Sequence, residues 1–126
     1  MNIFIDYRSR VPIYEQIKKE IILAVSRGEL KPEEQLPSLR ALSAELSVNI
    51  NTIKRSFSEL EDEGIIYSVA GKGSFISDRA ELDSYVEASL RSFSEAVKNA
   101  KKLGVDKEEL ATIIFNIYGD GSDKND

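Results

Sequence analysis

The sequence contains no cysteine and no histidine, and these two absences exclude most catalytic and metal-binding chemistry. Without cysteine there is no thiol nucleophile, no disulfide, no thiolate zinc site and no iron–sulfur cluster. Without histidine the chain lacks the commonest general base and the commonest protein metal ligand. An enzyme would have to use carboxylates, lysine, serine or tyrosine alone, and the helix spacing does not supply paired carboxylates. We therefore expect no enzymatic activity, no metal and no cofactor.

Long apolar runs are also missing. The longest, Ile21–Val25, has five residues, whereas a membrane-spanning helix needs about 20. The chain does not begin with a basic segment followed by an apolar stretch, so no secretory signal is visible and a cytoplasmic location is expected. A hydrophobic content of 41% and a charged content of 31% are typical of a globular protein. A length of 126 residues suits one small domain with an appended module.

Net positive charge is lacking as well: the chain carries −5, whereas nucleic-acid-binding domains are often basic. The distribution of charge matters more than its sum. Between residues 37 and 60 three basic residues, Arg40, Lys54 and Arg55, stand against two acidic ones, and acidic residues cluster at 59–63. Positive charge is therefore local, and the overall acidity weakens an interpretation as a DNA-binding protein without excluding it.

The first part of the chain has the pattern of three helices followed by a hairpin. Apolar residues at helical spacing, with a glycine or a capping residue at the boundaries, predict the helices. Two short apolar segments joined by a glycine-containing turn predict the hairpin. The predicted helices are Pro12–Arg27, Ser38–Leu46 and Asn51–Glu63, and the predicted strands are Ile65–Tyr67 and Ser74–Ile76. The segment Ile3–Ile5 is either a short strand or a packed arm.

From Glu81 onward the pattern changes to long amphipathic helices. Apolar residues recur every three or four positions from Leu82 to Ala100 and predict one long helix. Gly104 is expected to end it in a Schellman motif, and Asp106 with Glu109 is expected to form a capping-box-like start for a second helix. The polar segment 119–126 is expected to be a disordered tail.

These two C-terminal helices carry more apolar surface than a three-helix domain can cover. They either fold back on their own domain or pair between chains, and we favour pairing. The predicted fold is mainly α with a small β-hairpin: a winged helix-turn-helix domain at 1–78, a two-helix dimerisation region at 79–118, and the tail. The predicted dimer interface consists of Leu82, Val86, Leu90, Phe93, Val97, Ile113 and Ile117.

Two helices joined by a short turn, with a hairpin after the second, are typical of a winged helix-turn-helix. In this geometry the second helix enters the major groove of DNA with its N-terminal residues leading. Asparagine can bind adenine, arginine and lysine can bind guanine or phosphate, and threonine suits either. Arg40 in the preceding helix and Lys72 at the hairpin tip are placed for further contacts. The candidates on the second helix are Asn49, Asn51, Thr52, Lys54 and Arg55.

Several segments in order resemble the DNA-binding domain of GntR-family regulators, and the resemblance covers Pro12–Ser77 without a gap. The segments are Pro12–Ile17, Gly28–Pro32, Leu36–Arg40, Asn51–Ile53, Leu60–Glu61, Gly64–Ile66 and Gly71–Ile76. The short helical tail resembles the YtrA subfamily, whose C-terminal part is two helices used for dimerisation. The resemblance implies control of a transporter operon. It also implies that six residues lie at or near DNA: Arg40, Asn49, Asn51, Thr52, Lys54 and Gly71. Ser38, within the segment Leu36–Arg40, is a further candidate DNA-binding residue.

Four positions depart from the family pattern. Glu33 stands where the family usually has glycine, Ser47 replaces the usual glycine of the turn between the helices, and Ser43 replaces a usual alanine. Ser47 carries strain if its position needs a positive φ. Ala70 stands where a basic residue is common. These departures bear on the contribution of the hairpin to affinity and not on the fold.

The predicted function is therefore a sequence-specific DNA-binding transcriptional regulator, a repressor, that binds an inverted-repeat operator as a homodimer. The alternative is a winged-helix protein–protein adaptor without DNA binding. The acidity of the chain favours the adaptor, whereas Arg40, Lys54 and Lys72 argue against it. The segment Gly71–Ser74 resembles a phosphate-binding loop only superficially, because the glycine spacing is not that of a Walker motif. The operator sequence and any small-molecule effector stay open.

Overall fold

The computed structural model describes residues 2–119, and within this range the chain forms five helices and one antiparallel hairpin. The mainly α fold predicted from the sequence is confirmed. The elements are α1 (Ile13–Ser26), α2 (Leu39–Leu46), α3 (Ile50–Asp62), β1 (Ile66–Val69), β2 (Gly73–Ile76), α4 (Arg79–Lys102) and α5 (Lys107–Tyr118). The chain divides into two compact units between Tyr85 and Val86. The predicted disordered tail lies outside the described residues from 120 onward.

Local side-chain and backbone bonds set the helix boundaries. The Ser38 hydroxyl accepts a hydrogen bond from the backbone N–H of Ala41 and so caps α2. The predicted Schellman motif after α4 is present, because the Val105 N–H bonds the Ala100 carbonyl and the Gly104 N–H bonds that of Lys101, at 3.1 and 3.0 Å. The predicted capping box at α5 is absent, since the Asp106 side chain makes no capping bond.

The core of the first unit lies between α1, α2, α3 and the hairpin. α1 packs along α3, α2 also packs against α3, and β1 follows α3 directly. The side chains that are almost completely buried come from all of these elements, and the apolar ones are Ile17, Ile21, Leu42, Ile53, Leu60, Ile66 and Ile76. The apolar stripes assigned to helix interiors therefore form one continuous core, which holds α3 in a fixed position.

Leu82 was predicted to lie in a dimer interface, and this prediction is wrong. Its side chain is only 7% exposed and belongs to the core of the first unit. Tyr85 also packs partly against that core. The first two turns of α4 thus belong to the first unit, so the boundary between the units falls seven residues later than the predicted boundary between 78 and 79.

The second unit is built differently. None of the residues 86–119 is buried within the chain. Three of its large apolar side chains are half-buried, namely Val97, Val105 and Leu110. The other large apolar side chains are 43–74% exposed, and they are Val86, Leu90, Phe93, Leu103, Ile113, Ile114, Phe115, Ile117 and Tyr118. None of the helices within residues 2–119 combines the length and the apolar character that a membrane span requires.

Candidate nucleic-acid interface

The turn between α2 and α3 sets the angle between these two helices. Ser47 adopts φ 56° and ψ 43°, the left-handed conformation that the usual glycine would adopt without strain. The Ser43 hydroxyl donates a 2.6 Å hydrogen bond to the Val48 carbonyl across this turn. The hydrogen bond made by Ser43 therefore stabilises the turn in which the backbone of Ser47 is strained.

The N-terminal residues of α3 are polar and accessible. The Asn49 side-chain oxygen accepts a 2.7 Å hydrogen bond from the Asn51 N–H and caps the helix, which leaves the Asn49 amide nitrogen as a donor. Asn51 and Lys54 are exposed and Thr52 is half-buried. A surface cleft at this end of α3 is lined by Tyr14, Asn49, Asn51, Thr52 and Arg55.

The cleft brings together four of the predicted DNA-binding residues and adds Tyr14, which the sequence analysis left in the apolar stripe of α1. No contact described between residues 2 and 119 joins the remaining predicted residues to the cleft. Those residues are Ser38, Arg40, Lys54, Gly71 and Lys72. Among them Ser38 already has a structural role as the cap of α2.

Arg55 has intramolecular partners that the sequence did not reveal. Its guanidinium carbon lies 3.7 Å from the centroid of the Tyr14 ring, which is cation–π geometry. Arg55 Nη2 donates to the Tyr14 hydroxyl at 3.0 Å, and Nε donates to Glu59 Oε2 at 3.2 Å. The side chain is nevertheless 59% exposed. Its guanidinium is therefore oriented before any ligand arrives.

Behind Arg55 a second cation joins α1 to α3. Lys18 is 8% exposed, and its Nζ lies 2.7 Å from Glu63 and 3.0 Å from Glu59. Burial works to lower the pKa of Lys18, but its hydrogen bonds to Glu63 and Glu59 and their negative charges outweigh burial, so the pKa is raised. The hydrogen bond from Lys18 lowers the pKa of Glu59, with a smaller contribution from Arg55. Part of the acidic cluster thus balances a buried lysine.

Three of the predicted DNA-binding residues are cations whose charge is not neutralised by a described ion pair. Arg40, Lys54 and Lys72 are exposed, and none takes part in an ion pair described within residues 2–119. Because an exposed cation without a partner keeps its full charge for a ligand, these residues make the surface locally positive despite the net charge of −5. No group of acidic residues in the described range has the arrangement of a metal site.

The hairpin is supported by a segment that the sequence analysis did not assign to the sheet. The Glu33 N–H bonds the Ile76 carbonyl and the Ile76 N–H bonds the Glu34 carbonyl, both at 2.8 Å. Gln35 Nε2 donates to the Lys72 carbonyl at 2.7 Å. A Cβ at Gly73 would approach this Gln35 nitrogen to 3.0 Å, and Gly73 has φ 121°, so any other residue would be strained here.

The outer face of the hairpin carries an aromatic pair. Tyr67 and Phe75 stack with their ring centroids 5.6 Å apart, and the Tyr67 hydroxyl donates to Glu33 at 2.6 Å. This hydrogen bond raises the pKa of Tyr67. Glu33 has φ 71°, so the second replacement of a usual glycine is also strained. The contacts of Gln35, Glu33 and Tyr67 hold the hairpin tip with Lys72 against the domain.

Comparison with known proteins gives a consistent result. The profile described as "Bacterial regulatory proteins, gntR family" matches residues 13–76. The HTH-type transcriptional repressor YtrA of Bacillus subtilis (strain 168) is 38% identical, and the alignment covers 97% of this chain and 98% of YtrA. The structure of YtrA from Sulfolobus acidocaldarius, a GntR-family transcription factor, superposes with a TM-score of 0.59 at 35% identity, covering 73% of this chain and 97% of that one.

A further solved structure shows a related domain with DNA. The DNA-binding domain of AraR in complex with operator ORE1 superposes with a TM-score of 0.53 at 27% identity, covering 61% of this chain and 94% of that one. The family and the YtrA-like resemblance predicted from the sequence are confirmed. This chain belongs to the gntR family of bacterial regulatory proteins.

Proposed function

We propose that this protein is a transcriptional repressor that binds operator DNA in the cytoplasm through α3 and the hairpin. The observation that carries the proposal is the surface at the start of α3, where Asn49, Asn51 and Thr52 line a cleft with the oriented Arg55 and where Lys54 on the same helix is exposed without a described ion pair. Its similarity to a protein named as a repressor and to a domain in complex with operator DNA supports the same function.

In the proposed complex α3 lies in the major groove with its first turns against the base edges. Asn51 and Thr52 contact bases, Lys54 contacts a base edge or a phosphate, and the amide nitrogen of Asn49 donates beside its capping oxygen. Arg40 binds the backbone from α2. Lys72 reaches the DNA from the hairpin tip, where Gly71 lets the chain turn with φ 76°.

Arg55 has a different role in this proposal. Stacking on Tyr14 and pairing with Glu59 fix the guanidinium at the edge of the cleft. The Arg55 side chain is already ordered before a phosphate binds at this edge, so binding loses less side-chain conformational entropy. In this proposal Arg55 and the Tyr14 hydroxyl together form a binding site for one backbone phosphate.

We also propose that the protein acts as a homodimer on an inverted repeat. The apolar side chains of α5 cover a wide arc of the helix, from Ile113 and Ile117 across Ile114 and Tyr118 to Phe115, and all are at least 43% exposed. Contiguous exposed apolar surface is typical of an interaction site. A second copy supplies the same surface and closes a two-fold interface, which presents two copies of α3 to two half-sites.

The test begins with selection of a duplex from random DNA and measurement of its affinity by mobility shift. Arg40→Ala and Lys54→Ala should each weaken binding by about 1–3 kcal/mol if a base contact is lost. Their thermal unfolding should stay unchanged, because both side chains are exposed. Arg27→Ala and Lys31→Ala are matched controls, since they remove exposed cations at the other end of α1. A wild-type protein that selects no duplex over a scrambled one would refute DNA recognition and leave the adaptor.

A further inference from the structure

The chain makes a compact turn over residues 6–11, immediately before α1, and this turn carries two arginines. Arg8 and Arg10 are exposed, and no ion pair described within residues 2–119 involves either of them. We propose that this turn is a second DNA-binding element, in which Arg8 and Arg10 bind backbone phosphates next to the bases contacted by α3. The inference rests on the proposed DNA-binding function and adds to it a contact that neither the helix pair nor the hairpin provides.

Gln16 holds this turn in place with both ends of its amide. The Asp6 N–H donates to Gln16 Oε1 at 2.8 Å, and Gln16 Nε2 donates to the carbonyls of Asp6 at 3.0 Å and Val11 at 2.9 Å. Within the turn, the Asp6 carboxylate accepts from the Arg8 N–H at 3.0 Å. The Ser9 hydroxyl accepts from the Val11 N–H, also at 3.0 Å. The backbone is fixed, and the two guanidinium groups are left without a described intramolecular partner.

The segment before the turn is anchored as well. Ile3 and Ile5 pack against the core of the first unit, and no strand forms there. Of the two conformations left open by the sequence, the packed arm is therefore present. The arm is anchored at Ile3 and Ile5 on one side and at Gln16 on the other. Its backbone therefore loses little further conformational entropy when its arginines bind a ligand.

The position of the turn follows from the packing of α1 on α3. Near the start of α1, the Ser56 hydroxyl donates to the Tyr14 carbonyl at 2.9 Å, and Arg55 contacts the Tyr14 side chain. One turn later, Lys18 contacts Glu59 and Glu63. Contacts that advance together along both helices mean that α1 and α3 run in the same direction. The start of α1 therefore lies beside the N-terminal half of α3, and the turn, which is bonded to Gln16, directly precedes it along the chain.

This half of α3 is the part that leads into the major groove, and an element beside it lies close to the phosphates that border the groove. The groups that the turn presents there are guanidinium ions, which bind phosphate oxygens with two parallel hydrogen bonds. The carboxylate of the turn, Asp6, is engaged by the Arg8 N–H. Phosphate contacts position a protein without specifying sequence. The turn should therefore add affinity and orientation, not base preference.

The test compares the full-length double variant Arg8→Gln/Arg10→Gln with Arg27→Gln/Lys31→Gln, which removes two exposed cations at the opposite end of α1. Affinity for the selected duplex and for a scrambled duplex is measured as a function of salt. The Arg8→Gln/Arg10→Gln variant should bind both duplexes at least about tenfold more weakly. Its slope of log K against log salt should fall by about one per lost contact, so by up to about four in a dimer. The control should keep the wild-type slope.

A third variant tests the fixation of the turn apart from its charge. Gln16→Ala removes the three hydrogen bonds to Asp6 and Val11 but keeps both arginines. It should weaken binding severalfold without changing the salt slope. Faster amide hydrogen exchange over residues 6–11 should accompany the loss, while the unfolding temperature should change little because Ile3 and Ile5 still anchor the arm.

The outcomes separate the two proposals. If the wild-type protein binds no duplex, DNA binding itself fails and the role of the turn fails with it. If the wild-type protein binds but the Arg8→Gln/Arg10→Gln variant keeps its salt slope, or loses no more of it than the control does, only the role of the turn is refuted. Loss of the dimer in sedimentation by the Arg8→Gln/Arg10→Gln variant alone would also refute it, because the turn would then be a contact between protomers.

Discussion

The two units of this chain bury their apolar residues in opposite ways. Leu60 in α3 is completely buried, whereas Leu90 in α4 is 63% exposed, although both lie on apolar stripes at helical spacing. The first unit closes a core around α1, α3 and the hairpin, and none of the residues 86–119 is buried. Burial of apolar surface drives folding and association alike, so the first unit has a core that supports its folding, and the exposed apolar surface of the second supports the proposed pairing between copies.

The two units also differ in how their charges are distributed. Residues 86–119 carry equal numbers of acidic residues (Glu87, Glu95, Asp106, Glu108 and Glu109) and basic residues (Arg91, Lys98, Lys101, Lys102 and Lys107). The first unit carries 14 acidic and 11 basic residues, so its positive charge is local. Part of its acidity is paired with Lys18 and Arg55, while Arg40, Lys54 and Lys72 are exposed on the predicted DNA-binding surface without an ion pair described within residues 2–119. A neutral apolar surface suits contact with a copy of itself, and an uncompensated positive surface suits DNA.

The largest effect should come from a charge placed in the exposed stripe of α4. Phe93→Asp should give monomers in sedimentation, because burying an unpaired carboxylate in an interface costs several kcal/mol. Ser92→Asp introduces the same charge one position away, off the stripe, and should leave the dimer intact. A wild-type chain that sediments as a monomer at micromolar concentration would remove the basis of the comparison.

The next largest effect should come from the core of the first unit. Leu60→Ala should lower the free energy of unfolding by about 2–5 kcal/mol, because it leaves a cavity where the side chain is fully buried. Leu90→Ala should instead raise the dimer dissociation constant and leave unfolding of the first unit unchanged. Chemical denaturation at several protein concentrations distinguishes the two, and equal effects of both substitutions on the first unit would be inconsistent with separate cores.

A smaller gain is expected at the turn between α2 and α3. Ser47→Gly should stabilise the protein by about 0.5–1 kcal/mol, since glycine adopts φ 56° without a Cβ clash. Ser43→Ala should cost about 1 kcal/mol, because it removes the hydrogen bond to the Val48 carbonyl. Thermal melts of both variants check the pair. Destabilisation by Ser47→Gly would mean that the serine is not strained.

The smallest effect is a pH dependence between α1 and α3. The pKa of Glu59 is lowered from its ordinary value of 4.5 by the hydrogen bond from Lys18, so its stabilising contribution is present above pH 4.5 and is lost as the pH falls through the lowered pKa. Glu59→Gln should flatten this part of the acid-unfolding profile. Glu61→Gln, an exposed change two residues away, should not flatten it.

Local patterns predicted the elements of this fold, but not the contacts between distant segments. Periodicity gave the five helices, and glycines gave several of their ends. Periodicity also assigned Leu82 to the wrong surface, because one continuous stripe on α4 faces the core at its start and is exposed further on. A stripe records which side of a helix is apolar, not what covers it.

The sequence offered candidate DNA-binding residues, which stay a prediction, but it did not reveal the residues that hold them in position. Tyr14 lies 41 positions from Arg55, and Gln35 lies 37 from Lys72, so no local pattern links them. The hydrogen bonds between Gln16 and Asp6 join residues 10 positions apart, and no sequence periodicity indicates them either. Polar side chains that hold backbone groups in place depend on three-dimensional packing, and only the structure reveals them.

The spacing of the two half-sites gives the most direct test of whether the first unit contacts DNA while the second unit pairs two copies of the chain. The measurement is the affinity for the selected duplex against one in which about five base pairs, half a helical turn, are inserted between the half-sites. We expect the insertion to abolish specific binding, because it rotates one half-site to the opposite face of the DNA, and we expect an insertion of about ten base pairs to restore part of it. Equal affinity for all three duplexes, or for a duplex with a single half-site, would contradict the account.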